Sequence, residues 1–225
     1  MTPTTITLSQ VVRFLRAQAP SGGSLYIRSL VRGLETRYGF LQSPNKLEDY
    51  DISKGLTFLH GEFQGRFVID RFQVFENGIL TQSKVETETL EEFVGDAANW
   101  AQEELGLKVV VPETGAKRNY VSNVVFKLDF EINEKFQKFS GVASAISQFL
   151  RSYGTFPQAV YGVNGLSMYC DLTAVPTPQP VAFTFERRAG QPFSENLYFS
   201  SAPLTTSHHF AVLEMMETIL RSDAT

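Results

Sequence analysis

Leu8, Val11, Val12 and Leu15 recur at helical spacing in TLSQVVRFLRAQ, which predicts a short N-terminal helix capped by Thr7 or Ser9. After a PSGG break, Ile27, Leu30, Val31, Leu34 and Tyr38 share one face of LYIRSLVRGLETRYGF, so a second amphipathic helix follows. Residues 41–65 are rich in turn formers and are expected to wander.

The period then changes. In RFVIDRFQVFENGILTQSKVETE, Phe67, Ile69, Arg71, Gln73 and Phe75 alternate with Val68, Asp70, Phe72 and Val74, and Glu76-Asn77-Gly78 makes a corner. A β-hairpin at 66–86 is predicted, with bulky apolar groups on both faces. Leu90, Phe93, Val94, Ala97, Ala101 and Leu105 then mark a helix over 90–105, capped by Thr89 with Glu92 and stopped by Gly106.

From about Lys117 a second block repeats this mixture without repeating the sequence. NYVSNVVFKLDFEIN reads as a strand and FSGVASAISQFLRSYG as a helix through Val142, Ala145, Ile146, Phe149 and Leu150. LSMYCDLTAV and PVAFTFERR read as strands on either side of the stiff PTPQP, with Glu186 and its neighbouring arginines at a polar rim. NLYFSSAPL is extended, and TTSHHFAVLEMMETIL is a helix capped by Thr206 or Ser207. The expected class is α+β, with two N-terminal helices, mixed strand and helix blocks and a C-terminal helix. The blocks are 1–106 and 117–225, separated near VVVPETGAKR at 107–118 or fused into one continuous domain.

Composition narrows the function classes. The chain has 225 residues, 43% hydrophobic and 20% charged, which is the range of a folded protein with a real core. A net charge of −4 with no long basic run makes nucleic acid an unlikely partner. The N-terminus lacks the pattern of a signal peptide and no segment has eighteen consecutive apolar residues. The expected setting is cytoplasmic or a virion, not secreted and not in a membrane. Cys170 has no partner for an internal disulfide and is expected as a buried, inert thiol.

The densest chemistry is FERRAGQPFSENLYFSSAPLTTSHH at 185–209. A small serine hydrolase would use Ser200 or Ser201 with His208 or His209 and an acid such as Glu195 or Asp171. Nothing supplies a GxSxG elbow, and adjacent histidines on a helix diverge by about 100° and cannot easily grip one metal. The polar groups are therefore read as strand-end and helix-cap residues, with His209 expendable and Phe210 the buried ring. No catalytic, cofactor-binding or metal-binding residues are assigned.

Two surface readings remain. Arg13, Arg16, Arg28, Arg32 and Arg37 cluster in an otherwise acidic chain and suit an adaptor for an acidic partner, with Trp100 as a core or interface anchor. Nineteen phenylalanines and eight tyrosines suit a subunit that buries aromatic surface on association. The favoured reading is a non-enzymatic structural or assembly protein, a homo- or hetero-oligomer acting through protein–protein contacts. A component of a phage or phage-like particle is the setting this suggests; the hydrolase and the adaptor are the alternatives.

Overall fold

The structure is a computed structural model that describes residues 1–19, 26–111, 118–154, 156–171, 173 and 179–222. The PSGG break, half of the 107–118 boundary and most of PTPQP lie outside the described residues. The N-terminal segment corrects the expected pair of helices: it is a long strand, β1 (Thr2–Phe14), followed by the short β2 (Arg16–Gln18). The apolar spacing fits a helix, and as a strand it is split between two faces, Val11 buried on one and Leu8 and Val12 half-buried on the other. The β-branched content of TPTTITLSQVV and a hydrogen-bonded strand on each side decide for β.

Only the second N-terminal helix exists, α1 (Ile27–Tyr38), which buries Leu30, Val31, Leu34 and Tyr38 and ends at a left-handed Gly39. The segment expected to wander contains β3 (Leu56–Phe63), which hydrogen-bonds along its length to β4 (Phe67–Phe75). β4 turns into β5 (Gly78–Ser83) as the predicted hairpin, and α2 (Thr87–Leu105) follows, starting at Thr87 and not behind Thr89. β6 (Lys108–Val110) pairs with β2 in a small separate ribbon.

The second block supplies β7 (Arg118–Lys127), the one-turn α3 (Ile132–Lys135) and α4 (Ser140–Ser152). β8 (Gly165–Met168), β9 (Phe183–Arg187), β10 (Leu197–Ala202) and α5 (Thr206–Arg221) complete the described chain. Eight strands form one sheet in the order β3-β4-β5-β1-β7-β10-β9-β8, with every neighbouring pair antiparallel.

This order contains the same unit twice. β1-α1-β3-β4-β5-α2 and β7-α4-β8-β9-β10-α5 have the same sequence of elements, each with its first strand central and its second at a sheet edge. The register places an approximate two-fold axis normal to the sheet. Ser9 lies opposite Ser83 and Ser122 lies opposite Ala202, so Ser9 and Ser122 are equivalent, and they pair with each other in the β1–β7 ladder. Equivalent residues can face each other only on the axis.

The starts of α2 and α5 meet at this axis. Thr206 donates its backbone N–H to Thr87 Oγ1 at 2.7 Å, and Thr87 returns its own N–H to Thr206 Oγ1 at 3.0 Å, across 119 positions of sequence. Both threonines are buried. Helix starts leave N–H groups without intrahelical partners, and here each helix satisfies one for the other. Glu88 extends the exchange by accepting from Ser207 N and Oγ at 3.1 and 2.6 Å. The side-chain cap of α5 is Thr205, which accepts from His208 N, rather than Thr206 or Ser207.

Each block has its own apolar core against this sheet. Phe58, Phe72, Phe93, Tyr38 and Phe40 dominate the first, with α1 and α2 above β3, β4 and β5. Phe126, Phe185, Tyr198 and Leu213 dominate the second, under α5. Trp100 closes the first core where α1 and α2 cross: a Cβ added to Gly33 would lie 2.4 Å from its ring.

Gly33→Ala should therefore destabilise by about 1–3 kcal/mol despite the gain in helix propensity, and by less when combined with Trp100→Phe. Urea titrations of both variants check this. Thr87→Val and Thr206→Val should each cost about 1–3 kcal/mol, because a buried N–H loses its acceptor. The double variant should cost less than the sum in a denaturation cycle, as members of one network do.

Candidate functional site

Of the serine and histidine candidates, the fold brings one pair together. Tyr198, Ser200 and Ala202 alternate onto the helix-facing side of β10, which leaves Ser201 on the other side. On α5, Thr206, His209, Leu213 and Met216 form the buried stripe, which turns His208 outward. Ser200 Oγ and His209 Nε2 are 2.8 Å apart.

The proton positions oppose nucleophilic chemistry. Ser200 Oγ donates to the Thr184 carbonyl at 2.6 Å, so the contact with the imidazole is completed by Nε2–H donating to the hydroxyl oxygen. A serine nucleophile needs the reverse, a bare Nε2 accepting its proton and an Nδ1–H steered by an acid. Among the described residues no carboxylate reaches His209 Nδ1. Of the acids named from sequence, Asp171 is exposed and accepts from Thr173, and Glu195 sits in an exposed turn.

Access is closed as well, since Ser200 and His209 are both 0% exposed. The internal repeat explains the position. Counting back the 119 positions that relate Thr206 to Thr87 puts Thr81 and Leu90 in their places, and both are fully buried between sheet and helix. The pair occupies a packing position that the first block fills with Thr and Leu. Burial pushes the imidazole down to about 4, only partly opposed by the Ser122 backbone. His209 is thus neutral at pH 7, and the expectation that it is expendable is corrected.

The arginine candidates are dispersed. Arg37 makes a two-pronged bond to Asp96 at 2.9 and 3.1 Å, with the Tyr38 hydroxyl donating to the same carboxylate at 2.6 Å. Arg13 faces Glu91 at 3.8 Å, both charges partly sheltered against α2. Arg28 and Arg32 line a hollow with Tyr26, Leu47 and Tyr50, where the Arg28 guanidinium lies 6.0 Å from the Tyr50 ring. Arg16 borders a different hollow, with Glu76 and Asn77. Trp100 is 9% exposed and belongs to the core. Cys170, expected buried, is exposed beyond the end of β8.

Arg187 is the charged residue that sequence reading misplaced. It is 7% exposed rather than at a rim, bonded to the Glu131 carboxylate and to the carbonyls of Val163 and Phe193. Its guanidinium lies 4.3 Å from the Phe193 ring centre. The signal was present: Phe183, Phe185 and Arg187 share one parity of β9, the inward one. It clamps three connecting segments to the sheet.

Among the described residues, no three His, Cys, Asp or Glu side chains converge to hold a metal ion, and no helix is long and apolar enough to cross a membrane. No protein-family model matches the sequence, and a search of curated proteins returned no match.

The buried imidazole has a measurable consequence. Between pH 6.5 and about 4 the unfolded chain binds a proton at residue 209 that the folded chain refuses. This contribution is fully present above pH 6.5 and is lost as pH falls through that window, up to about 3 kcal/mol. His209→Leu, which copies Leu90, should flatten the urea midpoint across the window. His209→Ala should cost about 2–4 kcal/mol at pH 7.5 from the cavity it opens.

Proposed function

We propose that the chain is a non-enzymatic assembly subunit that works through protein–protein contacts. The observation that carries this reading is the apolar surface of residues 139–170. On α4 and its C-cap, Val142, Ile146, Phe149 and Tyr153 recur in steps of four, three and four, which is the spacing of a helix seam made to pack. Yet Val142, Phe149 and Tyr153 are 61%, 60% and 69% exposed. No α4 side chain belongs to either apolar core.

The segment after α4 continues the surface. Tyr161 donates its N–H to Ser147 Oγ, which holds this strip of chain against the helix, and Leu150, Phe156 and Tyr161 line one shallow hollow. Met168 and Tyr169, at and beyond the end of β8, are also exposed. Single exposed apolar side chains are ordinary on a protein surface; a run of this density is the mark of a contact site. The Ser200–His209 pair gives the hydrolase alternative no comparable support, being inaccessible and with its hydroxyl proton bound to a carbonyl.

Light scattering across a concentration series tests the reading, with fluorophosphonate labelling alongside. Association beyond the 25.2 kDa single chain is expected, with no label on Ser200. A single-chain mass at every concentration, or a label on Ser200 that His209→Ala abolishes, would overturn it.

A further inference from the structure

Resting on the assembly reading, we infer that the surface formed by α4 and β8 binds the same surface of a second copy of the chain, about a two-fold axis. The internal repeat shows what each half of this surface lacks. In the first block the edge strand β3 buries Leu56 and Phe58 completely, and α1 lies on its inner side with its own stripe buried. In the second block the equivalent pair is open on both sides. The edge strand β8 leaves Leu166 and Met168 exposed, and α4 leaves its seam exposed. A helix without a sheet and a sheet edge without a helix stand on the same chain, so two copies can each supply what the other lacks. Such a reciprocal contact is the isologous arrangement that a two-fold dimer requires.

Charge selects a like surface over an oppositely charged partner. Between Lys138 and Asp171 the only charged residue is Arg151, in a chain that is 20% charged. The Arg151 side chain turns back to the Ser147 carbonyl of its own helix, at 3.1 Å. A face with one charge across residues 139–170 offers an acidic or basic partner little to recognise, and it meets its own copy with little repulsion. Area is sufficient. The exposed large apolar residues from Phe139 to Tyr169 together offer on the order of 1,000 Å², so a contact that covers most of them reaches the roughly 800 Å² that each partner buries in an interface of standard size. Among the described residues no strand pairs with the outer edge of β8, which is last in the sheet order, so the second copy also meets backbone groups of an edge strand there.

The test uses the full chain with Phe149→Glu and Tyr153→Glu combined, against Met215→Glu and Ile219→Glu combined on the exposed face of α5 as the control. Sedimentation equilibrium should give a dimer for the unaltered chain and the control, and a monomer for the α4 variant, with at least a 100-fold weaker association. Cooperative thermal unfolding checks that each variant is folded. Should the glutamates prevent folding, Phe149→Ser with Tyr153→Ser is read in their place. A folded α4 variant that remains dimeric overturns the assignment of this surface while leaving the assembly reading in place. Loss of the dimer in the α5 control as well overturns it too, because the effect is then not particular to α4 and β8. An unaltered chain that is monomeric throughout sinks this inference together with the reading it rests on.

Discussion

The structure depends on one constraint at its centre, the closure of two helix starts against each other beneath the β1–β7 ladder. Thr87 and Thr206 each accept the other's backbone N–H in a fully buried position, so neither helix start is satisfied without the other. An unpartnered buried N–H costs about 1–3 kcal/mol, which makes the two halves interdependent at this point even though each has its own apolar core. Glu88 reinforces the junction: burial raises its pKa, but hydrogen bonds from Ser207 and Thr87 outweigh that and hold the carboxyl down at about 2. The junction lies where the β1–β7 ladder joins the two halves into one eight-stranded sheet.

The same geometry determines what the most reactive-looking stretch of the chain can do. Residues that would make a serine–histidine pair do come within hydrogen-bonding distance, but through the ordinary inward parity of β10 and α5. Proximity is thus a by-product of packing. The hydroxyl proton goes to a backbone carbonyl, the imidazole is neutral and shut away from water, and a Thr and a Leu stand at the corresponding positions of the first block.

The two blocks differ most where they are least central. Near the axis their elements correspond residue for residue, whereas at the two edges of the sheet one block is covered and the other is bare. A duplicated unit whose second copy keeps the seam of its helix but not the cover has apolar surface to spare, and this asymmetry underlies the assembly reading.

Several elements were legible in the sequence because their causes are local. The 67–83 hairpin came from period-two alternation and an Asn-Gly corner; α1, α2, α4 and α5 came from apolar spacing, with left-handed glycines ending the first two. The sparse charge of residues 139–170, Arg151 alone, was equally open to reading. Other features were decided only by tertiary structure. β1 looked helical because its apolar positions follow the helical period, and they serve a strand by dividing between its two faces, which only the strands on both sides decide. The start of α2 was misplaced because its first N–H is satisfied by a residue 119 positions away, a partner that no local cap signal announces. Arg187 and His209 look like surface residues by type and are buried because burial follows the face of the element and not the polarity of the side chain. Local periodicity determines which face a residue is on; what covers that face is a long-range fact, and it is the cover that sets its chemistry.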